Sequence, residues 1–440
     1  MSVLMRVPTI LVLVGIVLAG GCGEPGRAAT GNNRQGPARN GSPGQATDGN
    51  GAQPTAETPS RAGDGHVVGS APAGEPLDAD HARLAEGLIA GGVEYLLAHR
   101  DGDGGWSMGD QRQMQPALTG LALKAVLQDP RFDVSSPQVQ GALAVMLGYQ
   151  QEDGGIYDPA QGKASYTTAV AVMVLAVADD PSLASSLEQA VMYLRGLQIL
   201  PGSQTADGDI VSDDHPSGGG VSYGEQGRPD LSNVGMWMQA MHDAGVPGDD
   251  PAMQRAMVFV ARTQNRSESN SSAWAAAGSN DGGFVYAPAV RGDLTQGESK
   301  AGPGPGGRGL RSYGSMTYVG FKSLLYADLS RRDPRVRAAL DWIGRYWRLD
   351  SNPNMPYERS GQGLYYYYHA MAKALHAWGE PTIASADGEE HNWRDELIDA
   401  LAERVAEDGS WINPADRWFE GDANLVTAYA VLALQEAIKP

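Results

Sequence analysis

A short acidic segment carries the densest group of side chains suited to acid–base or metal chemistry. Asp207, Asp209, Asp213, Asp214 and His215 stand within nine residues of one another. A loop of this composition suits a calcium ion or an acid/base pair, but its spacing matches no calcium-loop pattern. An exposed, solvated acidic loop is therefore the favoured interpretation. Asp213 and Asp214 remain candidate catalytic residues.

A run of four tyrosines, residues 365–368, directly precedes His369. Successive residues on a helix point about 100° apart, so all four rings cannot face one pocket. We take Tyr366 and Tyr367 as candidate ligand-binding residues and His369 as a candidate catalytic residue. A tyrosine-rich wall suits a hydrophobic polyene or a stacked sugar ring, and simple core packing is the alternative.

Glycine-containing turns recur along the chain and indicate the elements that position these residues. Asp-Gly-Gly-aromatic or closely related sequences end at Trp106, Ile156, Phe284 and Trp411. Each turn follows an amphipathic segment and precedes a more uniformly apolar one, which is typical of an outer helix followed by an enclosed inner helix. Internal repetition of this kind predicts an all-α fold, an α/α toroid of about six helical hairpins.

The first turns of the inner helices are predicted to line one mouth of a central cavity, where free backbone N–H groups favour anions and polar ligands. This placement adds Asp230 as a candidate catalytic residue. The candidate ligand-binding residues are Tyr166, Asn233, Tyr313, Tyr366, Tyr367 and Thr427. In the alternative interpretation the polar members of this set are ordinary helix N-caps.

Four helix starts carry a capping side chain. Ser136, Asp180, Asp250 and Asp333 each precede a proline, the residue favoured at the first position of a helix. All four lie before predicted outer helices and so support the register of the hairpins. Strand signals are sparse, because no sustained period-two alternation occurs.

The first 22 residues are typical of a bacterial lipoprotein signal peptide. An apolar run, residues 7–18, is too short to cross a bilayer of about 30 Å and leads through small residues to Cys22. We expect Cys22 to be lipidated and to anchor the protein at the periplasmic face of a bacterial membrane. An ordinary secretory signal is the alternative. Residues 23–78 are predicted to be a disordered Gly/Pro/Ala-rich tether, and residues 79–440 to be the toroid.

Composition excludes several partners and cofactors. The formal net charge is −19 and no basic patch occurs, so nucleic acid is not an expected partner. Cys22 is the single cysteine, so disulfides, cysteine-based zinc sites and cysteine nucleophiles are excluded downstream of it. No cofactor and no metal are predicted, and the sequence does not specify the oligomeric state.

The turns resemble those of the squalene cyclase and prenyltransferase repeat family, whose members are terpenoid cyclase-like toroids. Residues 150–155 match its glutamine and glycine repeat, and Gln264 stands upstream of the turn at residues 281–284 in the same way. Further matching segments are residues 228–233, 313–318, 408–411 and 427–429. The resemblance covers roughly residues 80–438, and it implies the fold more specifically than the activity.

The catalytic motifs of that family are missing. No Asp-x-Asp-Asp occurs, and Ser232 and Asn233 follow Asp230 where two of the acids would stand. No Asp-Asp-x-x-Asp is present to bind a diphosphate through magnesium. The resemblance therefore implies a protein that holds a hydrophobic or prenyl ligand in a central cavity and, if it is an enzyme, a terpene cyclase-like isomerase or a transferase. The alternatives are a periplasmic polysaccharide lyase or glycosidase on an α/α toroid, and a non-enzymatic interaction scaffold.

Overall fold

The structure, a computed structural model, describes residues 77–109, 113–205, 207–224 and 227–440. The predicted signal peptide, Cys22 and nearly all of the predicted tether therefore lie outside the described residues. Among the described helices, none is both long enough and apolar enough to cross a membrane.

Helices make up almost all of the regular structure in the described residues. In chain order they are α1 (Ala79–Ala98), α2 (Gln115–Leu127), α3 (Pro137–Leu147), α4 (Ala164–Ala178), α5 (Ala184–Gly196), α6 (Leu231–Asp243), α7 (Pro251–Ala261), α8 (Ala273–Ala276), α9 (Gly314–Tyr326), α10 (Pro334–Arg345), α11 (Leu364–Trp378), α12 (Trp393–Ala402) and α13 (Ala423–Ala437). Short 3-10 helices cover Pro181–Leu183, Pro305–Gly307, Tyr357–Arg359 and Arg417–Phe419.

Two short strands lie between α11 and α12. They are β1 (Thr382–Ala384) and β2 (Glu390–Asn392), which pair antiparallel with Thr382 opposite Asn392. The sequence does not predict this hairpin, because strands of three residues are too short for an alternating pattern to show.

Six helices form a closed inner ring. In the order α2, α4, α6, α9, α11 and α13 each helix contacts the next, and α13 contacts α2. The outer helices α1, α3, α5, α7, α10 and α12 each pack against at least one inner helix. Because α1 contacts both α13 and α12, the last hairpin closes the ring on the first. The predicted α/α toroid of six helical hairpins is confirmed.

Burial differs between the two rings as the hydrophobic pattern predicts. Every residue of the inner helix α2 except Leu127 is buried. In the outer helix α5 the buried residues are Ala190 and Leu194. A helix enclosed on all sides must be apolar all round, whereas a surface helix needs only one apolar stripe.

The glycine turns pack against the backbone of the next outer helix. Gly154, Gly282 and Gly409 have φ values of 88°, 84° and 84°. A Cβ on Gly282 would lie 2.3 Å from the carbonyl oxygen of Ala338 in α10, and one on Gly409 would lie 2.8 Å from that of Gly91 in α1. Only glycine combines this backbone conformation with so close an approach. The last turn therefore packs against the first helix and completes the ring.

Threonines from four inner helices hold the residue that follows the glycines. The backbone N–H groups of Trp106, Ile156, Phe284 and Trp411 donate to the hydroxyls of Thr119, Thr168, Thr317 and Thr427, respectively, over 2.9, 3.0, 3.1 and 3.0 Å. The four apolar side chains are at most 1% exposed. The turn residues therefore belong to the core.

Three of the four predicted caps are present. Asp180, Asp250 and Asp333 each accept the N–H of the residue two positions further on. The prediction is wrong for Ser136, which makes no capping hydrogen bond. Its hydroxyl donates instead to the carboxylate of Asp133 and accepts the backbone N–H of the same residue, so a nearby acid competes for it.

Candidate functional site

A cavity opens at the end of the ring where the inner helices begin. Its volume is about 160 Å³, and eight of its fifteen lining residues are aromatic. We call it the tyrosine cavity after its six lining tyrosines, Tyr166, Tyr223, Tyr286, Tyr313, Tyr366 and Tyr429. It lies at the mouth that the sequence predicts, close to the positive ends of the inner-helix dipoles.

The inner helices supply one side of the wall. Tyr166, Ser232, Met316 and Tyr366 come from the first turns of α4, α6, α9 and α11, and Tyr429 comes from the second turn of α13. A side chain in the first turn of an enclosed helix has no preceding turn beneath it. The four first-turn side chains named above use this freedom and face the open end of the ring.

Hydroxyl groups link these side chains in pairs. The hydroxyls of Tyr166 and Tyr429 are 3.2 Å apart, and the Ser232 and Tyr366 hydroxyls are 2.9 Å apart. The rings of Tyr366 and Tyr429 meet edge to face, with centroids 6.0 Å apart. Burial raises the pKa of Tyr166, Tyr366 and Tyr429 above the usual value. The wall therefore consists of neutral phenols that offer apolar faces and hydroxyls.

Glu420 contributes a carboxyl group to the cavity. It is 1% exposed, accepts the backbone N–H of Tyr366 at 2.8 Å, and accepts the side-chain amide of Asn413 at 2.6 Å. Burial outweighs these hydrogen bonds and raises the pKa of Glu420 to about 7. At neutral pH the group is therefore present both as acid and as carboxylate, which suits it to proton transfer.

Asp230 lies behind the cavity wall. It is 2% exposed and accepts the backbone and side-chain N–H groups of Asn233 at 3.0 and 2.8 Å, so it caps α6. Burial raises the pKa of Asp230, and a hydrogen bond from Tyr286 opposes this. Tyr286 lines the cavity and Asp230 does not, so the acid does not face a ligand in this cavity.

Two consecutive aromatic residues cover the cavity at its rim. Trp418 and Phe419 have φ values of 63° and 68° and are 39% and 48% exposed. Bulky residues rarely adopt positive φ, and strained backbone of this kind concentrates at functional sites. The ammonium group of Lys163 lies 5.1 Å from the centre of the Phe419 ring. The rim therefore combines exposed aromatic rings with a cation.

Three of the residues predicted to bind a ligand are placed in the cavity wall, namely Tyr166, Tyr313 and Tyr366. Asn233 is buried and does not line the cavity, because its side chain donates to Asp230. It therefore positions the acid.

Two other candidate ligand residues point elsewhere. The Tyr367 hydroxyl donates to the carbonyl of Arg348 at 2.7 Å, because successive helical residues diverge. Thr427 accepts the N–H of Trp411 and serves the turn. The placement of Tyr367 and Thr427 on the cavity wall is therefore corrected. His369 stacks on Tyr429 with ring centroids 5.5 Å apart, behind the wall.

Asp213 and Asp214 lie outside the tyrosine cavity. Both are exposed, as the interpretation of a solvated loop implies. The carbonyl of Asp213 accepts a hydrogen bond from Arg262 at 2.9 Å, so this residue contributes through its backbone. These two candidate catalytic acids are therefore not part of the tyrosine cavity.

Sequence reasoning missed several cavity residues, among them Tyr223, Tyr286, Trp418 and Phe419, and Glu420 is the one of them that carries a carboxyl group. It stands in an irregular connection directly after Trp418 and Phe419, outside the repeated turns on which the candidates depend. The one sign of Glu420 in the sequence is an acidic residue shortly before the inner helix α13. Its position beneath the start of α11 depends on a contact 54 residues apart along the chain, which no local pattern reveals.

Buried ionic groups occupy the other end of the inner ring. The ion pairs are Lys124 with Asp243 at 3.0 Å and Lys373 with Glu436. Lys322 has no acidic partner among the described residues and donates to the side-chain oxygen of Gln239 at 2.9 Å. Burial lowers the pKa of Lys322 to about 7. We call this group the axial cluster.

One group of described residues has the geometry of a possible metal site. Potential ligand atoms of Asp78, His81 and Asp395 lie within 4.8 Å of one another. Asp78 already caps α1 and bonds to the His81 ring. These residues join the start of α1 to α12 and are not part of the tyrosine cavity.

Comparisons with known proteins identify no sequence relative. No protein-family model matches the sequence, and no curated protein matches it. Similar solved structures include the type II terpene cyclase MstE from Scytonema, with 13% identity, a TM-score of 0.49, and coverage of 81% of this chain and 99% of that chain.

Glycosidases are also among the similar structures. The GH76A α-1,6-mannanase from Salegentibacter sp. HEL1_6 has 10% identity, a TM-score of 0.48, and coverage of 82% of this chain and 99% of that chain. The unsaturated glucuronyl hydrolase from Streptococcus agalactiae has 9% identity, a TM-score of 0.45, and coverage of 83% and 93%. The α/α toroid is established by the helix contacts of this chain, and the similar structures do not separate the predicted activities.

Proposed function

We propose that the tyrosine cavity binds one end of a small hydrophobic ligand of the prenyl type. The observation that carries this proposal is the wall of neutral aromatic rings, which supply eight of the fifteen lining residues. Aromatic faces pack well against unsaturated hydrocarbon, and the few hydroxyls orient a single polar group.

The size of the cavity limits what enters it. A cavity of about 150 Å³ accommodates a ligand the size of benzene, and the tyrosine cavity has about 160 Å³. One isoprene unit, which is close to benzene in size, therefore fits inside. The remainder of a longer chain would pass out of the mouth beside Trp418 and Phe419.

Binding, without cyclisation, is the function proposed. Glu420 can exchange a proton with a bound ligand because its pKa is raised to about 7. Protonation of an isolated alkene needs a much stronger acid, and the Asp-x-Asp-Asp motif is missing from the sequence. We therefore expect no pentacyclic product from squalene.

The glycosidase alternative requires two carboxyl groups on opposite sides of a bound sugar. Among the described lining residues, Glu420 is the one that carries a carboxyl group, and Asp230 does not line the cavity. The tyrosine cavity therefore favours the hydrophobic ligand.

Calorimetric titration of the full chain with geraniol tests this proposal. We expect saturable binding of one geraniol per chain, and Phe419→Ala to weaken it about tenfold, because about 1.4 kcal/mol of apolar contact is lost. The matched control is Tyr357→Ala, which removes an aromatic ring that is 90% exposed and outside the cavity. Absence of saturable binding, or equal loss in the two variants, would contradict the proposal.

We further propose that Cys22 is acylated and that the protein is held at the periplasmic face of a bacterial membrane. The support is the apolar run, which is followed by small residues and then by the single cysteine. In a bacterial host, Cys22→Ser should move the protein from the membrane fraction to the soluble fraction, whereas Gly26→Ser should not. A Cys22→Ser protein that stays on the membrane, with no lipid mass on the parent, would reject lipidation.

A further inference from the structure

The rim of the tyrosine cavity holds a cation that has no acidic partner among the described residues. Lys163 lines the cavity, stands directly before α4 and is half-buried. Its ammonium group donates to the sulfur of Met114 at 2.8 Å, and sulfur is a weak acceptor. Burial lowers the pKa of Lys163, and no carboxylate of the described chain opposes that effect. The positive charge of this side chain is therefore not neutralised by the described residues.

The groups beside this ammonium are uncharged, and strained backbone holds them there. Met114, Trp418 and Phe419 line the same cavity and have φ values of 58°, 63° and 68°. The other described non-glycine residues with positive φ are all Asp or Asn, the types that adopt this conformation more readily. The three exceptions in the described chain thus meet at one rim. Strain of this kind concentrates at functional sites, and here it places a thioether and an aromatic ring next to the cation.

The charges of the lining favour a ligand with a single negative charge. Lys300, the second lysine of the lining, already forms an ion pair with Glu298. The first turns of the inner helices add partial positive charge at the same mouth. Lys163 therefore supplies one uncompensated cation. A diphosphate would bring further negative charge that no free cation among the described lining residues could balance.

We propose that the rim binds a carboxylate at the polar end of the ligand, so that the tyrosine cavity takes an apolar acid in preference to an alcohol or a diphosphate. A hydrogen bond between an ammonium group and a carboxylate is roughly twice as strong as one between neutral groups. The carboxylate lies at the rim beside Lys163 and Phe419, and the far isoprene unit lies between the tyrosine rings. This inference rests on the function proposed above and specifies the charge of the ligand.

Calorimetric titration of the full chain with geranate, geraniol and geranyl diphosphate tests this inference. The three probes share one hydrocarbon chain and differ in the charge of the polar end. The titrations are made at about pH 6, where Glu420 keeps its proton because its pKa is about 7. Geranate should bind about tenfold more tightly than geraniol, as expected for one charged hydrogen bond. Geranate should also bind more tightly than geranyl diphosphate.

A neutral replacement of Lys163 shows whether the preference for geranate comes from the rim. Lys163→Met keeps the length of the side chain and removes its charge, so geranate should lose its advantage over geraniol. Geraniol should bind to this variant as it does to the parent, which also shows that the cavity is intact. The matched control is Lys439→Met, which removes a half-buried lysine that pairs with Glu436 and does not line the cavity. The control should keep the preference for geranate.

The outcomes separate this inference from the function on which it rests. Equal binding of geranate and geraniol by the parent, tighter binding of geranyl diphosphate, or an unchanged preference in Lys163→Met would each overturn the inference. In those cases the binding of a prenyl chain by the tyrosine cavity would still stand. If none of the three probes binds, both the inference and the proposed function are overturned.

Discussion

The buried carboxyl group of Glu420 makes the stability of the toroid depend on pH in a defined direction. Burial raises its pKa from 4.5 to about 7 in the folded protein. Between these values the unfolded chain has released the proton while the folded chain retains it. The free energy of unfolding therefore falls as pH rises through this window and levels off above about pH 7.

The magnitude follows from the shift. One pKa unit corresponds to about 1.4 kcal/mol, so the Glu420 contribution should be about 3 kcal/mol, as an order of magnitude. In Glu420→Gln this contribution is absent, because an amide does not titrate. Other groups whose pKa values burial lowers, including Lys322 and His369, are common to both proteins and cancel in the difference.

Urea unfolding followed by circular dichroism at a series of pH values measures this difference. From about pH 4.5 to about pH 8 the parent should lose about 3 kcal/mol relative to Glu420→Gln. Glu407→Gln is the matched control, because it neutralises an exposed glutamate close by in the chain, and it should follow the parent. Parallel pH profiles for the parent and Glu420→Gln would show that Glu420 keeps its ordinary pKa and would remove the basis for its role as a proton donor.

Three further substitutions test the ring and its interior by urea unfolding. Gly409→Ala should lower the free energy of unfolding by about 1–3 kcal/mol more than Gly388→Ala does. Gly388 is the control because its φ is equally positive but nothing lies within 4 Å of an added Cβ. Equal losses would show that the close approach of Gly409 to α1 is unimportant. Thr427→Val should lower the free energy of unfolding by about 1–3 kcal/mol, because it leaves the Trp411 N–H unpaired. The affinity for geraniol should stay unchanged. A loss of affinity without a loss of stability would return Thr427 to the ligand site. Raising the pH from about 7 to about 10 should stabilise the parent relative to Lys322→Met. Burial lowers the Lys322 pKa from 10.5 to about 7, so in this range Lys322 carries a proton in the unfolded chain and not in the folded one. Identical pH profiles of the two proteins would contradict this effect of burial.

The fold follows from sequence because its determinants are local and repeated. Each of the repeated turns needs glycine after its aspartate for a positive φ, as Gly282 and Gly409 illustrate. Each inner helix must be apolar on all sides to pack inside the ring. The same requirements appear several times along the chain, so a chance match in one hairpin does not mislead the prediction. The ring closure between α13 and α1 then follows from the number of hairpins.

The site is less predictable because it depends on orientation and on distant contacts. Tyr366 and Tyr367 are adjacent in sequence, yet one faces the cavity and the other bonds to Arg348. Glu420 acquires its raised pKa from burial beneath α11, and an isolated acid in a loop does not reveal such burial. The polar character of Thr427 suggested ligand binding, but its hydroxyl satisfies a turn N–H of the core.

The closed contact between α13 and α1 has a consequence for chain connectivity. Along the ring, the order of the hairpins in sequence is the same as their order in space, so the point at which the polypeptide enters is not dictated by packing. A circularly permuted chain would be cut between two neighbouring hairpins, and a flexible linker would join α13 to α1. Every helix in it would keep its present neighbours. The contact of Gly409 with Gly91 would then join two hairpins that follow each other in the chain, as the contact of Gly282 with Ala338 does now.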